Sequence, residues 1–288
     1  MRLHLLDGTY ELFRAYFGAP PRTAPDGMEV GATHGVLASV LNLLDEGVTH
    51  LGAAFDTMVR SFRNELYGPY KTESGVPEAL MAQFPLVEEG MEALGVTVWR
   101  MTEYEADDAI ASAVHRWCDD VDQVVILSPD KDMAQCITGD RVVAYDRRKA
   151  TFIDEQGVWD KFGVAPRSIP DYLGLVGDSS DGFPGVPGWG AKSASLMLAT
   201  YPHIEDIPLE ASRWEPPVRG AERLASSLRE HLADALLFRY LAQLRTDVPL
   251  TETLGDLEWR GVPRQPFEAF CDRWGFGAIR ERPSRWVD

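Results

Sequence analysis

The sequence predicts an α/β fold, in which a parallel sheet flanked by helices is followed by a mainly helical region. Over the first half of the chain, short apolar strands alternate with amphipathic helices, a pattern typical of βαβ units and a parallel sheet. After about Arg167 the predicted strands stop and helical periodicity dominates. We therefore divide the chain into two domains, residues 1–167 and residues 168–288.

Four strands are predicted from short apolar runs, at 2–6, 51–55, 96–99 and 123–127. Apolar residues at helical spacing predict helices at 10–17, 31–46, 77–94, 169–177 and 220–244. The second of these helices illustrates the pattern, because Leu37, Leu41 and Leu44 recur on one helical face.

Composition and cysteine usage are those of an ordinary globular protein. No apolar run reaches about 18 residues and no leader-like N-terminus is present, so neither a membrane span nor a signal peptide is expected. Cys118, Cys136 and Cys271 lie far apart, which favours a reducing cytoplasm over a disulfide framework or a zinc site. We expect a cytoplasmic protein and take it to be a monomer.

The stretch 104–108, Tyr-Glu-Ala-Asp-Asp, places Glu105, Asp107 and Asp108 in one helical turn. Apolar residues follow at i, i+3, i+4 and i+7 from Ile110, so a helix should begin here. Acidic residues in the first turn of a helix also complement its dipole, and this plainer interpretation stays open for the stretch taken alone.

Further carboxylates follow the other predicted strands: Asp7, Asp56, Asp130 and Asp132. Ligands of parallel sheets bind beyond the carboxyl ends of the strands, so all seven acids should converge on one edge. Converging carboxylates repel one another, and divalent cations held by oxygen ligands relieve that repulsion. The net charge of −17 at first argues against a nucleic-acid partner, but bound cations would offset part of the local negative charge.

A glycine-rich stretch at 177–193 follows the helix predicted at 169–177. It begins with Asp178 and Asp181 and leads into a helix that starts near Ala191, whose N-terminus is suited to bind a phosphate. A P-loop is excluded because Ala191 separates Gly190 from Lys192. A plain helix-turn-helix corner remains the alternative interpretation.

The chain resembles the 5′-to-3′ exonuclease and flap endonuclease family, which includes the nuclease domain at the N-terminus of bacterial DNA polymerase I. The resemblance runs from Leu5 to about Leu250. It rests on eight stretches: 5–8, 54–56, 61–65, 70–71, 104–108, 128–132, 177–194 and 241–250. It implies a PIN-like sheet, a helix-hairpin-helix element and, since no polymerase region follows, a stand-alone nuclease.

The resemblance also implies roles for individual residues, and its metals are Mg²⁺ or Mn²⁺. The ligands of the first catalytic ion match Asp7, Asp56, Glu105 and Asp107. Those of the second match Asp130, Asp132 and Asp178, while Asp108 and Asp181 match acids that act through water or bind a further ion. Contacts to the scissile phosphate match Lys71 and, less closely, Arg63. The helix-hairpin-helix element, which holds K⁺ and duplex phosphates, matches Gly185, Gly188, Gly190, Ala191, Lys192 and Ser193.

The chemistry that such a site supports is phosphodiester hydrolysis. Two divalent ions can stabilise both the attacking and the leaving oxygen of an in-line displacement, and Lys71 would stabilise charge on the phosphoryl oxygens. The expected substrates are DNA 5′ ends, flaps and nicks. Two alternatives stay open: a nuclease acting mainly on the RNA strand of RNA–DNA hybrids, and a structure-specific DNA-binding protein that has lost cleavage.

The sequence departs from the family pattern at three places. Ser74 stands where an arginine is usual, and residues 72–78 form a short acidic segment where relatives often build a basic helical arch. Gly182 stands where asparagine is common. The first two departures put flap threading and cleavage rate in question.

Overall fold

The computed structural model describes residues 1–72 and 74–288, so the acidic segment predicted at 72–78 includes one residue, Glu73, that lies outside the described residues. The chain forms two compact units. Unit 1 consists of Met1–Ser61, 74–128 and Thr246–Asp288, and unit 2 of Phe62–Thr72 and Pro129–Arg245. The domain boundary expected near Arg167 stays a prediction. Within the described chain, none of the helices combines the length and apolarity that crossing a membrane requires.

The strands are β1 (Arg2–Asp7), β2 (His50–Asp56), β3 (Thr97–Met101), β4 (Gln123–Leu127), β5 (Val142–Asp146), β6 (Thr151–Ile153), β7 (Val262–Pro263) and β8 (Trp286–Val287). The helices are α1 (Gly8–Gly18), α2 (Gly31–Asp45), α3 (Arg63–Leu66), α4 (Glu78–Met81), α5 (Phe84–Ala93), α6 (Ala106–Trp117), α7 (Glu155–Phe162), α8 (Ile169–Val176), α9 (Ala191–Thr200), α10 (Ala221–Glu230), α11 (Leu232–Ala242), α12 (Arg264–Trp274) and α13 (Gly277–Arg280).

Unit 1 is built on four parallel strands in the order β3-β2-β1-β4. The adjacent residues Leu5 and Leu6 of β1, whose side chains point to opposite faces, are both fully buried, as expected for a central strand covered on both faces. The apolar face of α6 packs on β1, β2 and β3, and α1 packs on α2 and β2. Because all four strands run in one direction, their carboxyl ends lie at the same edge of the sheet.

Unit 2 contains the antiparallel pair β5–β6 and a group of helices in which α8 packs on α9 and α11. Gly174 allows α8 and α11 to approach closely, because a Cβ at this position would lie 2.9 Å from the carbonyl oxygen of Ala235. The α8 helix also packs on a 3₁₀ turn at Asp132–Cys136, and this contact connects two of the predicted ligand stretches.

The four predicted strands are confirmed, but three predictions about the other elements are wrong. The helix expected at 77–94 is interrupted between α4 and α5, where Pro85 occupies the first turn of α5. The helix expected at 220–244 breaks at His231, whose φ and ψ of −115° and 23° are not helical. Strands do not stop after Arg167, because β7 and β8 form a short parallel pair.

Candidate metal centre and phosphate-binding turn

The first group of carboxylates lies at the carboxyl edge of the unit 1 sheet. Asp7 ends β1, is 4% exposed and caps α1 by accepting a hydrogen bond from the backbone N–H of Tyr10 at 2.8 Å. Its other oxygen accepts a hydrogen bond from Ser128 Oγ, also at 2.8 Å, and Ser128 directly follows the neighbouring strand β4. Strand pairing and the helix cap thus hold one carboxylate rigidly at the edge.

Asp56 and Glu105 are brought to the same edge by the start of α6. Asp56 ends β2, and its Oδ1 accepts a hydrogen bond from the backbone N–H of Ala106 at 2.7 Å. Glu105 is the N-cap residue of α6, is 3% exposed, and accepts a hydrogen bond from Ser61 Oγ at 2.7 Å. The predicted helix start at 104–108 is confirmed, and its acids serve the sheet edge as well as the helix dipole.

The two remaining acids of this stretch differ in their surroundings. Asp107 is half-buried, whereas Asp108 is fully buried, and Asp108 Oδ2 accepts a hydrogen bond from the backbone N–H of Glu105 at 3.0 Å. This contact is one half of a capping box. Asp108 therefore has a structural role at the helix start, which is compatible with its predicted contact through water.

The second group of carboxylates lies within unit 2. Asp132, Asp178 and Asp181 each offer an oxygen within 4.8 Å of the others, and they are the three residues so grouped in the part of the chain that the structure describes. All three are buried, with exposures of 6, 3 and 5%. Asp178 and Asp181 belong to a tight loop closed by backbone hydrogen bonds between Asp178 and Phe183. The packing of α8 on the 3₁₀ turn brings Asp132 to this loop.

Asp132 has the environment of a metal ligand. Its Oδ1 is buried and accepts no hydrogen bond from any described residue, a costly arrangement unless an ion occupies the site. Burial raises the pKa of the Asp132 carboxyl well above its usual range, and the charges of Asp130 and Asp181 act in the same direction. The donor set, all carboxylate oxygen, suits a hard divalent cation.

Two predicted ligands of this group contact partners within the chain. Asp130 is exposed, and its Oδ1 accepts a hydrogen bond from the backbone N–H of Asp132 at 3.0 Å. Asp178 Oδ1 accepts a hydrogen bond from the backbone N–H of Ser180 at 2.9 Å, and Asp178 Oδ2 lies 2.6 Å from Lys131 Nζ. Lys131 and Asp178 thus form an ion pair whose angles are not those of a hydrogen bond. Sequence reasoning missed Lys131, although it stands between two predicted ligands.

Lys71 extends from the segment Phe62–Thr72 of unit 2 toward the same acids. Its Nζ lies 3.5 Å from Asp181 Oδ1, and its backbone N–H donates to the carbonyl of Asp181 at 3.1 Å. Its φ of 24° lies outside the regions that side-chain-bearing residues prefer, so the surrounding contacts hold Lys71 in a strained conformation. The structure therefore places this ammonium beside the carboxylate trio.

Arg63, which was expected to contact the scissile phosphate, is buried with its guanidinium on backbone carbonyls. It is 1% exposed, and its guanidinium donates to the carbonyls of Leu241 and Gln243 at 2.8 and 3.0 Å. The guanidinium also lies 4.7 Å from the ring centroid of Phe62. These contacts tie α3 to the end of α11 and favour a structural role for Arg63.

Gly182, where asparagine is common in the family, has a steric reason to be glycine. Its φ is +82°, and a Cβ there would lie 2.6 Å from the carbonyl oxygen of Pro69. The close approach of two segments of unit 2 therefore excludes a side chain at this position.

The glycine-rich turn leads into α9 as predicted. Gly190 is the N-cap residue of α9, and its backbone N–H donates to Ser193 Oγ at 3.1 Å. Lys192 is exposed in the first turn. A groove of about 450 Å³ lies beside this helix start, and the charged residues that line it are Lys192, Arg219 and Arg223. The two arginines, from α10 and the segment before it, were not singled out by sequence.

A substitution in this turn should affect stability strongly. Gly185 has a φ of +70°, and a Cβ there would lie 2.4 Å from the backbone nitrogen of Gly177. We expect Gly185→Ala to lower the free energy of unfolding by about 3 kcal/mol, because the turn must open. The matched control is Gly190→Ala, whose Cβ would meet nothing within 4 Å. Equal urea denaturation midpoints for the two variants would contradict this assignment.

Comparison with known proteins agrees with the fold. The family described as 5′-3′ exonuclease, N-terminal resolvase-like domain, matches residues 2–163, and the 5′-3′ exonuclease C-terminal SAM fold matches residues 164–265. The fold defines an α/β protein with a PIN-like sheet and a SAM-like helical region. The chain belongs to the 5′-3′ exonuclease family.

The relatives are larger proteins that contain this region. DNA polymerase I of Mycobacterium leprae is 33% identical over 287 residues, which cover 97% of this chain and 31% of the relative. The chain thus spans about a third of that protein's length.

Solved structures share the fold. The T5 D15 protein, crystallised with metal ions, aligns with a TM-score of 0.66 at 18% identity, covering 98% of this chain and 99% of that chain. The catalytic core of Rad2 in complex with DNA aligns with a TM-score of 0.61 at 14% identity, covering 95% and 88%. The predicted PIN-like fold followed by a helical region is confirmed.

Proposed function

We propose that this chain is a divalent-metal-dependent 5′-3′ exonuclease and structure-specific 5′-flap endonuclease acting on DNA. The observation that carries the proposal is the buried trio Asp132, Asp178 and Asp181, with the unpartnered Oδ1 of Asp132 among them. Membership of the 5′-3′ exonuclease family supports the same reaction class. Roles in DNA replication and repair and a location in the cytoplasm are part of the proposal.

The residues that would hold the ions fall into the two groups already described. In unit 1 they are Asp7, Asp56, Glu105 and Asp107, and Asp108 supports them by accepting a hydrogen bond from the backbone N–H of Glu105. In unit 2 they are Asp130, Asp132, Asp178 and Asp181. Bound Mg²⁺ or Mn²⁺ would supply an activated water and stabilise the leaving oxygen. The protein fixes the carboxylates through strand ends, helix caps and Ser61 and Ser128, so that little reorganisation is needed.

Lys71 would act on the phosphate itself. Its ammonium lies at the edge of the trio, close to Asp181. In that position it would neutralise charge that develops on the phosphoryl oxygens during the displacement. We leave Arg63 out of the catalytic set because its guanidinium already donates hydrogen bonds to backbone carbonyls.

Duplex DNA would bind at the start of α9. Gly190 is the N-cap residue of α9, Ala191 and Ser193 lie in its first turn, and the groove beside them is basic. Such a helix start attracts phosphate through its dipole and its free N–H groups. We extend the proposal to a K⁺ ion at the turn around Gly185 and Gly188. DNA affinity that is equal in K⁺ and in Li⁺ buffers would contradict the ion.

The decisive experiment measures cleavage of 5′-labelled flap, nicked-duplex and RNA–DNA hybrid substrates, each with Mg²⁺, Mn²⁺ or EDTA. We expect metal-dependent products from the flap and the nick, released from the 5′ side. Faster cleavage of the RNA strand would establish the hybrid nuclease instead. Binding to the flap without product in either metal would identify a non-cleaving DNA-binding protein. Sedimentation of the same sample tests the expected monomer.

Lys192 should contribute to DNA binding rather than to chemistry. We expect Lys192→Ala to weaken duplex binding about 3- to 10-fold and to reduce the slope of log affinity against log salt by about 1, because one phosphate contact is lost. Single-turnover cleavage at saturating enzyme should change less. Arg260→Ala is the control, since it removes the same charge from an exposed position of unit 1. A collapse of saturated cleavage with unchanged binding would place Lys192 in the chemistry.

A further inference from the structure

Lys131 contacts the carboxylate trio from within the predicted ligand stretch. It stands between Asp130 and Asp132 in sequence, and its Nζ lies 2.6 Å from Asp178 Oδ2. The other oxygen, Asp178 Oδ1, already accepts a hydrogen bond from Ser180. Oδ2 is therefore the oxygen that Asp178 offers to a ligand, and the ammonium of Lys131 occupies it.

The charged groups around the trio sum to −2, which one divalent cation would neutralise. With every carboxyl ionised, Asp130, Asp132, Asp178 and Asp181 contribute four negative charges. Two ammonium groups contribute positive charges, Lys131 on Asp178 and Lys71 on Asp181. The remainder is −2. Without Lys131 the remainder would be −3, and the attraction for a divalent cation would be larger.

An ion pair and a metal bond at the same oxygen exclude each other. A hard divalent ion such as Mg²⁺ binds a carboxylate oxygen at about 2.0–2.1 Å. An ammonium held 2.6 Å from that oxygen would lie next to the ion, where like charges in a buried site repel strongly. The ammonium can move away from Asp178, because it is carried by a flexible four-carbon side chain that is 31% exposed.

We propose that Lys131 is a positioning residue that competes with the divalent cation for Asp178. In the ion-paired arrangement it compensates the charge of the buried carboxylates and so stabilises the fold. The cation can bind only when Lys131 releases Asp178 Oδ2. This competition makes the site bind the cation more weakly than the same carboxylates would without Lys131. This inference rests on the proposed metal site, but it concerns a residue that the proposed mechanism does not use.

The test is a Mn²⁺ titration by calorimetry of the wild type and Lys131→Met, with melting temperatures measured in EDTA and in Mn²⁺. We expect Lys131→Met to bind Mn²⁺ about 10-fold more tightly at this site. It should melt at a lower temperature in EDTA and gain more stability from Mn²⁺ than the wild type does. Lys131→Arg keeps the charge and should behave like the wild type.

The controls separate this effect from a general change in charge. Lys149→Met removes an ammonium of unit 2 that pairs with Asp146 at 3.4 Å, and it should leave Mn²⁺ affinity unchanged. In an Asp178→Asn background the effect of Lys131→Met should disappear, which assigns the effect to this oxygen and not to the carboxylates of unit 1. Equal or weaker Mn²⁺ binding by Lys131→Met would overturn the inference alone. Absence of Mn²⁺ binding by the wild type would overturn the proposed function as well.

Discussion

Asp132→Asn should lower single-turnover cleavage of a 5′-flap duplex by about 10³-fold, equivalent to about 4 kcal/mol of transition-state stabilisation. The reason is the loss of a buried ligand oxygen at the centre of the trio. The same substitution should raise the melting temperature in EDTA, because it removes a charge that burial and the neighbouring carboxylates disfavour. Cleavage at near the wild-type rate would remove Asp132 from the catalytic site.

The gain in stability should depend on pH with a definite sign. The pKa of Asp132 is raised in the folded protein, so folding takes up protons and the contribution of this group to stability falls as pH rises through that pKa. The advantage of Asp132→Asn in EDTA should therefore be larger at pH 8 than at pH 5. An advantage that is constant over this range would contradict the assigned cause.

Asp146→Asn is the matched control, because the environment of Asp146 lowers the pKa of its carboxyl, whereas the environment of Asp132 raises it. Burial alone would raise the pKa of this carboxyl, but hydrogen bonds from the backbone of Lys149 and Arg148 lower it. A lowered pKa gives stability above the unfolded value that is lost as pH falls. Asp146→Asn should thus destabilise the protein at neutral pH, whereas Asp132→Asn stabilises it.

Lys71→Met should lower single-turnover cleavage by about 10²- to 10³-fold, the loss of about 3–4 kcal/mol of charge stabilisation. Its effect on binding of the flap substrate at equilibrium should be smaller, since the ammonium acts mainly on charge that develops during the displacement. Rapid-quench measurements at saturating enzyme, together with anisotropy in Ca²⁺, separate the two quantities.

The matched variant is Lys71→Arg, which keeps the positive charge in the strained segment. It should recover part of the rate, because the ammonium and the guanidinium both stabilise phosphoryl oxygens. A Lys71→Met variant that binds the flap poorly but cleaves normally at saturation would assign Lys71 to binding instead.

Much of the unit 1 site was predictable because its positions are set locally. Asp7 and Asp56 follow apolar runs directly, and parallel strands must bring such residues to one edge. The start of α6 was equally readable, since an N-cap residue and a periodic apolar face are features of the chain itself. The breaks at Pro85 and His231 were harder, because helical periodicity continues across both.

The residue types that carry the chemistry, and the strands that end in the first group of carboxylates, can be read from the sequence. The use of the other charged groups depends on long-range packing. Asp132 and Asp178 meet because α8 packs on a 3₁₀ turn, and Arg63 is buried because backbone carbonyls accept its hydrogen bonds. Lys131 faces Asp178, a pairing across 46 intervening residues that no periodicity encodes. Burial and pairing arise from long-range packing, and they decide which charged groups are compensated and which remain for a metal ion.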